Sequence, residues 1–188
     1  MELILASASP RRKELLKLLN MPFTVQTVPV DETMDTSDVY AQVAALSRRK
    51  AEAVGAFPGK LTVAADTVVV LDGKVLGKPA NQQEAAQMLR MLSGRAHQVM
   101  TGLAVLHTGG CLSHTQVTQV HFRELSDEEI EGYVLSGDPM DKAGAYGIQS
   151  GAAVFVEGIE GDYYNVVGLP VCKLNELIHQ VIDARQGR

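Results

Sequence analysis

Residues 3–12 read Leu3-Ile4-Leu5-Ala6-Ser7-Ala8-Ser9-Pro10-Arg11-Arg12. An apolar run of strand length ends at two serines, and a proline follows the second. Ser9 suits the N-cap of a helix, and Pro10 suits its first position, where a missing N–H costs nothing. The leucine-rich stretch Lys13 to Leu19 carries the helix on. A buried strand over Leu3–Ala6 feeding a helix over Pro10–Leu19 is a building unit of α/β folds. The charges add a functional hint. A helix N-terminus carries about half a positive charge, so an acidic residue is the stabilising choice there. Arg11 and Arg12 stand in that first turn instead. An anion resolves the conflict: backbone N–H groups, two serine hydroxyls and two guanidinium groups converge on it, as a phosphate requires. The competing reading is a solvated helix start with two exposed arginines. The preceding strand and the two serines favour the anion site.

Outward from this unit, Phe23–Val28 alternates as a strand does, and Asp31-Glu32 opens a polar connection up to Ser37. A helix is expected from Asp38 to Val54, with an apolar stripe through Val39, Val43 and Leu46 that runs on to Lys50. A lysine on such a stripe either faces a cleft or snorkels out along its stem. Leu61–Leu71 is a β-branched run, and Asp72-Gly73 is a strong hairpin signal. A two-residue loop pairs Leu71 with Lys74, and counting back sets Lys78 opposite Thr67 and near Asp66. Asn81 caps a helix to Leu92, which Ser93-Gly94 closes. Strands over His97–Leu106 and Leu112–Arg123 flank a turn at Gly109-Gly110. Ser126-Asp127-Glu128-Glu129 is a capping box that opens a helix to Leu135. The segment Gly137–Gly151 is too long and too chemically loaded for an idle loop. A strand over Ala152–Glu157, a turn over Gly158–Asn165, a helix over Leu169–Arg185 and a frayed end complete the chain. Hairpins interrupt the βαβ alternation. The expected fold is therefore α/β, a mixed twisted sheet flanked by helices, forming two lobes with a central cleft.

The chain has 188 residues and a formal charge of -5, with 46% hydrophobic and 21% charged residues. That length suits one domain over residues 1–188, or two small lobes sharing a core. Net acidity and only 5% aromatic residues argue against nucleic acid as a partner. No basic leader precedes Leu3, and no apolar stretch reaches the ~20 residues of a membrane helix. The expected location is cytoplasmic. Cys111 and Cys172 lack metal-type spacing and read as buried small apolar residues in a reducing compartment. His97, His107, His114, His121 and His179 are scattered, as strand or surface residues would be. GxSxG, GxxxxGK[ST] and GxGxxG patterns are absent, which argues against a serine hydrolase, a P-loop enzyme and a Rossmann enzyme.

Asp66 sits inside the apolar run Leu61–Val70. A lone buried carboxylate costs several kcal/mol, so it needs a metal, a cation such as Lys78, or water in a cleft. A plain salt bridge is the bland alternative. Glu32 is a second acidic candidate, and with Asp66 it could hold a hard divalent cation through oxygen ligands. In Asp141-Lys142-Ala143-Gly144-Ala145-Tyr146-Gly147-Ile148-Gln149, the glycines let backbone approach a ligand, and Gln149 offers the donor and acceptor that a base edge requires. The alternative there is a tight loop in which Asp141 and Lys142 cap their neighbours.

Taken in order, Ser7 to Arg12, Asp31-Glu32, Lys50-Ala51, Ala65-Asp66-Thr67, Gly77-Lys78-Pro79, Leu92-Ser93-Gly94, Asp141 to Gln149 and Val167-Gly168-Leu169-Pro170 resemble the Maf family. These are nucleoside triphosphate pyrophosphatases related in fold to the inosine-triphosphatase enzymes. The resemblance runs from residue 3 to about residue 180. It implies hydrolysis of a nucleoside triphosphate to the monophosphate and pyrophosphate with magnesium or manganese. Carried over by position, Asp66 matches the proton acceptor, and Arg12, Thr67 and Gln149 match specificity positions. That trio resembles the branch acting on dTTP and UTP; the sister branch prefers 7-methyl-GTP. Ser7, Arg11, Lys50 and Lys78 match polar residues around the phosphates, where Ser9 is also expected. Glu32 matches a metal ligand, with Asp66 as its expected partner. The resemblance further implies a homodimer and a link to cell division, so a nucleotide-sensing regulator is the non-enzymatic alternative.

Overall fold

The computed structural model describes residues 1–33 and 38–186. Residues 34–37, the end of the expected polar connection, lie outside this description, as do 187–188 of the expected frayed end. β1 (Glu2–Leu5) leads into α1 (Pro10–Leu16), which tightens into a 3-10 turn over Lys17–Leu19. β2 (Phe23–Val25) pairs parallel with β1, Leu5 with Val25 last. It is shorter than expected because β1 itself ends at Leu5. α2 (Val39–Val54) begins at Asp38, whose carboxylate accepts the Ala41 N–H at 3.0 Å. β3 (Lys60–Leu71) pairs parallel with β1, and β4 (Lys74–Leu76) returns against β3. The turn between them has Asp72 at φ 51° and Gly73 at φ 76°, the two positive values of a type I′ hairpin.

α3 (Gln82–Leu92) is capped by Asn81, as its sequence foretells. β5 (Ala96–His107) and β6 (Gly110–Phe122) are joined through Thr108-Gly109, one residue earlier than expected. α4 (Asp127–Leu135) carries the complete Ser126–Glu129 capping box. β7 (Val156–Glu160) pairs antiparallel with β6. α5 (Tyr163–Val167) and α6 (Val171–Gln186) end the described chain. The sheet is mixed, with order β2-β1-β3-β5-β6-β7, and β4 pairs with β3.

Two expectations fail near the C-terminal third. Ala152–Glu157 is not one strand: Gly151–Phe155 forms a 3-10 turn before β7. Ala152 and Phe155, three apart, both enter the core, whereas strand alternation from Ala152 would have buried Val154, which is exposed. Gly158–Asn165 is not a simple turn either. Gly158 lies within β7, and α5 forms because buried Asn165 donates to the Val99 carbonyl (3.0 Å) and to Thr118 Oγ1 (2.9 Å).

The chain divides into two compact units. The first comprises Met1–Asp66, Thr101–Gln116 and Gly168–Arg188. Its core includes Ile4, Ala6, Ala51, Val54, Ala64, Ala104 and Leu106. Small side chains let α2 lie close to β5: a Cβ on Gly102 would stand 2.1 Å from the Val43 carbonyl oxygen. Hydrogen bonds from Thr115 Oγ1 to the Tyr40 carbonyl (2.8 Å) and from Thr62 Oγ1 to the Gly55 carbonyl (2.6 Å) tie down the two ends of α2. The second unit comprises Thr67–Met100 and Val117–Val167. Its core joins Val69, Leu89, Phe122, Tyr133, Tyr146 and Phe155. Neither cysteine is buried: Cys111 is half-buried and Cys172 is exposed on α6. His97, by contrast, is fully inside the second unit, its Nε2 2.8 Å from the Tyr146 hydroxyl.

Candidate active site

Within the first unit, the Ser7–Arg12 turn is built as its sequence suggests. Ser9 is the N-cap of α1 and accepts the Arg12 N–H at 3.5 Å. Ser7 Oγ accepts from the Ser9 N–H and from Arg12 Nη1, each at 3.3 Å. Each hydroxyl keeps its own O–H to donate, which is the role an anion needs from it. Arg12 Nε also donates to the Gly168 carbonyl at 2.8 Å. This tether joins residues 156 apart in sequence, and nothing local to either end announces it. Burial lowers the Arg12 guanidinium below its ordinary range; the charges of Asp66 and Glu32 oppose this, and Arg11 adds to it. The charges of Asp66, Glu32 and Arg11 therefore all reach Arg12.

α2 supplies the central cation. Buried Val43, Ser47 and Val54 share a helical stripe with Lys50, at spacings of four, three and four. Lys50 Nζ lies 2.6 Å from Asp66 Oδ1 and 2.7 Å from Glu32 Oε1. The Lys50 and Asp66 side chains are 16% and 15% exposed, whereas Glu32 is 65% exposed. So Lys50 faces the Asp66 carboxylate rather than snorkelling away. The cation that meets Asp66 is Lys50, not the Lys78 expected from the hairpin count. The β3–β4 ladder ends at Val69–Leu76, so the register does not carry as far as Lys78, which is exposed beyond β4.

Two carboxylate oxygens thus converge on one cationic group. Such a donor pair suits a hard divalent ion that completes its shell with water and phosphate oxygens. Among the described residues no cluster of three or more His, Cys, Asp or Glu side chains could hold a metal.

The other expected site residues belong to the second unit. Thr67 follows Asp66 on β3 and is half-buried; Lys78 and Gln149 are exposed, Gln149 in a turn over residues 148–150. Around that turn the glycines serve packing. A Cβ on Gly144 would stand 2.8 Å from Val69 Cγ2, and one on Gly147 would stand 2.6 Å from Lys142 Cε. Lys142 is buried and donates to Asp138 Oδ1 at 3.0 Å and to Asp141 Oδ1 at 2.7 Å. The capping alternative describes this lysine. Sequence reading passed over Asp138 and Tyr133, which carry the hydrogen bonds behind Gln149. Their side chains meet only once the 3-10 turn over Asp138–Asp141 folds back on α4.

Residues 2–181 match the family described as Maf-like protein. The chain is 50% identical to the dTTP/UTP pyrophosphatase of Alkaliphilus metalliredigens, over 95% of each chain. It is 51% identical to the dTTP/UTP pyrophosphatase of a Geobacillus species, over 92% of this chain and 94% of that one. A HAM1 protein structure from Coxiella burnetii aligns with 82% of this chain and 91% of its own, at 18% identity and TM-score 0.48. Identity near one half, sustained over almost the whole length and joined to the family match, means that this chain belongs to the Maf family.

Proposed function

We propose that this protein hydrolyses nucleoside triphosphates, dTTP and UTP foremost, to the monophosphate and pyrophosphate. The observation that carries the reading is Asp66, a carboxylate emerging from a buried strand onto Lys50 with Glu32 alongside. Relatives of half identity bearing the name dTTP/UTP pyrophosphatase support the substrate class.

In this reading Ser7, Ser9, Arg11, Arg12, Lys50 and Lys78 bind the phosphates. Lys50 orients Asp66 through Oδ1, and Oδ2 takes the proton of the attacking water. The water oxygen bonds to the α-phosphorus, the bond to the bridging oxygen breaks, and pyrophosphate leaves with that electron pair. The arginines and lysines stabilise the developing negative charge, which is usually the largest contribution to catalysis. Glu32 and Asp66 would hold magnesium or manganese, which supplies further charge neutralisation on phosphate oxygens. Gln149 and Thr67 read the carbonyl and N–H edge shared by uracil and thymine. We place the activity in the cytoplasm, where free nucleotides are found, and in a homodimer as the family resemblance implies. No helix of the described residues is long and apolar enough to cross a membrane.

The test is a panel of UTP, dTTP, CTP and 7-methyl-GTP with magnesium or manganese and product identification. The expected result is pyrophosphate release at catalytic protein concentrations, fastest with UTP and dTTP. Preference for the methylated purine would move the chain to the sister branch. Binding without turnover would leave the nucleotide-sensing regulator as the function.

A further inference from the structure

The turn that carries Gln149 is fastened on both sides to one carboxylate. Before it, the Gly147 N–H donates to the Tyr133 hydroxyl at 3.1 Å, and that hydroxyl donates to Asp138 Oδ2 at 2.5 Å. At its end, Ser150 Oγ donates to the same Oδ2 at 2.5 Å. Across it, the Ser150 N–H donates to the Gly147 carbonyl at 3.1 Å. Asp138 is held in turn by Lys142, whose ammonium donates to Oδ1 at 3.0 Å and to the Asp138 carbonyl at 2.6 Å. The Tyr133 ring stands edge-on to Phe155, 5.3 Å between centroids, in the core of the second unit. Gln149 itself is exposed on the turn.

This is a costly way to close a loop. A half-buried carboxylate paired with a buried ammonium contributes little net stability compared with apolar side chains of the same volume. What a satisfied network of this kind supplies is a fixed geometry. We propose that Asp138, acting through Tyr133 and Ser150, is a positioning residue that sets the Gln149 turn and thereby the discrimination between bases. The inference rests on Gln149 reading the base.

The experiment measures kcat and KM for UTP and for CTP, which differ at the edge Gln149 would read. It uses the full-length protein, Asp138→Asn, Gln149→Ala and the double variant. Asp138→Asn is expected to lower the UTP-to-CTP ratio of kcat/KM about tenfold. The loss should appear mainly as a raised KM for UTP, because the interaction lies away from the reacting phosphorus. On the Gln149→Ala background the same change is expected to have no further effect on the ratio, since one residue acts through the other. Should Asp138→Asn not fold, Ser150→Ala removes one tether and keeps the Asp138–Lys142 pair, with an expected loss of about threefold. An unchanged ratio in a folded Asp138 or Ser150 variant overturns the proposal, as does an equal loss in both backgrounds. If Gln149→Ala alone leaves the ratio unchanged, the base-reading role falls, and the positioning role falls with it.

Discussion

At Lys50 one ammonium meets two carboxylates of very different exposure, and exposure decides which contact matters. Asp66 is held where water is scarce, whereas Glu32 is mostly in solvent. Exposed ion pairs are worth about 0–1 kcal/mol, while breaking a buried one costs several. Double-mutant cycles by denaturant unfolding, with Lys50→Met against Asp66→Asn and against Glu32→Gln, should therefore give unequal couplings. About 2 kcal/mol is expected for the Asp66 pair and less than about 0.5 kcal/mol for the Glu32 pair. Equal couplings would show that Lys50 is not organised around Asp66. Catalysis gives a second test at the same residue. General-base help contributes about 10²–10⁴ in rate, so Asp66→Asn should lose at least that much turnover while still binding nucleotide. Near-normal turnover would remove Asp66 as the proton acceptor.

The element that delivers Lys50 is α2, and its seat on β5 depends on one missing side chain. A methyl group on Gly102 would collide with the backbone of α2 at Val43, which cannot move without the helix. Gly102→Ala is expected to cost about 2–4 kcal/mol in unfolding free energy. It should also lower kcat/KM in the fraction that folds, because Lys50 rides on the displaced helix. Gly158→Ala in β7 is the matched control, since nothing lies within 4 Å of its added Cβ. That change should stay within about 0.5 kcal/mol. Local signals served well for elements of this kind. The Asp38, Asn81 and Ser126 caps, and the Asp72-Gly73 turn, stand where their side chains and positive φ values require. Gly151–Phe155 escaped such reading, because Ala152 and Phe155 choose the core by what surrounds them.

For the whole molecule, His97 links folding to pH. Burial pushes its imidazole down to about 4 from 6.5; the charge of His121 adds to this, and the Arg95 backbone opposes it. The unfolded chain binds a proton there below pH 6.5, whereas the folded chain binds it only below about 4. Stability is therefore full above pH 6.5 and falls as pH drops through that window, by about 3 kcal/mol from this residue. Urea or guanidinium unfolding at pH 7 and pH 4.5 should show the loss, and His97→Gln should reduce it. An undiminished pH slope in that variant would assign the effect to other groups. Only 2% of His97 is exposed, although its setting in β5 reads as an ordinary strand position. Its protonation thus depends on Tyr146 and Phe122, which pack edge-on against the ring at centroid distances of 5.3 Å and 5.0 Å.

From the amino-acid order alone came the strand–helix opening with Ser9 and Pro10, the α2, α3 and α4 helices, the β3–β4 hairpin and the acidic candidate Asp66. These follow from caps, turns and periodicity, forces that act between residues a few positions apart. The tertiary structure alone decided that Lys50, 16 residues earlier in the chain, meets Asp66. It likewise decided that Gly168 holds Arg12, and that Asp138 and Tyr133 brace the Gln149 turn. Such pairings depend on where helices and turns settle against the sheet, a placement governed by packing among distant segments that no short window of sequence contains.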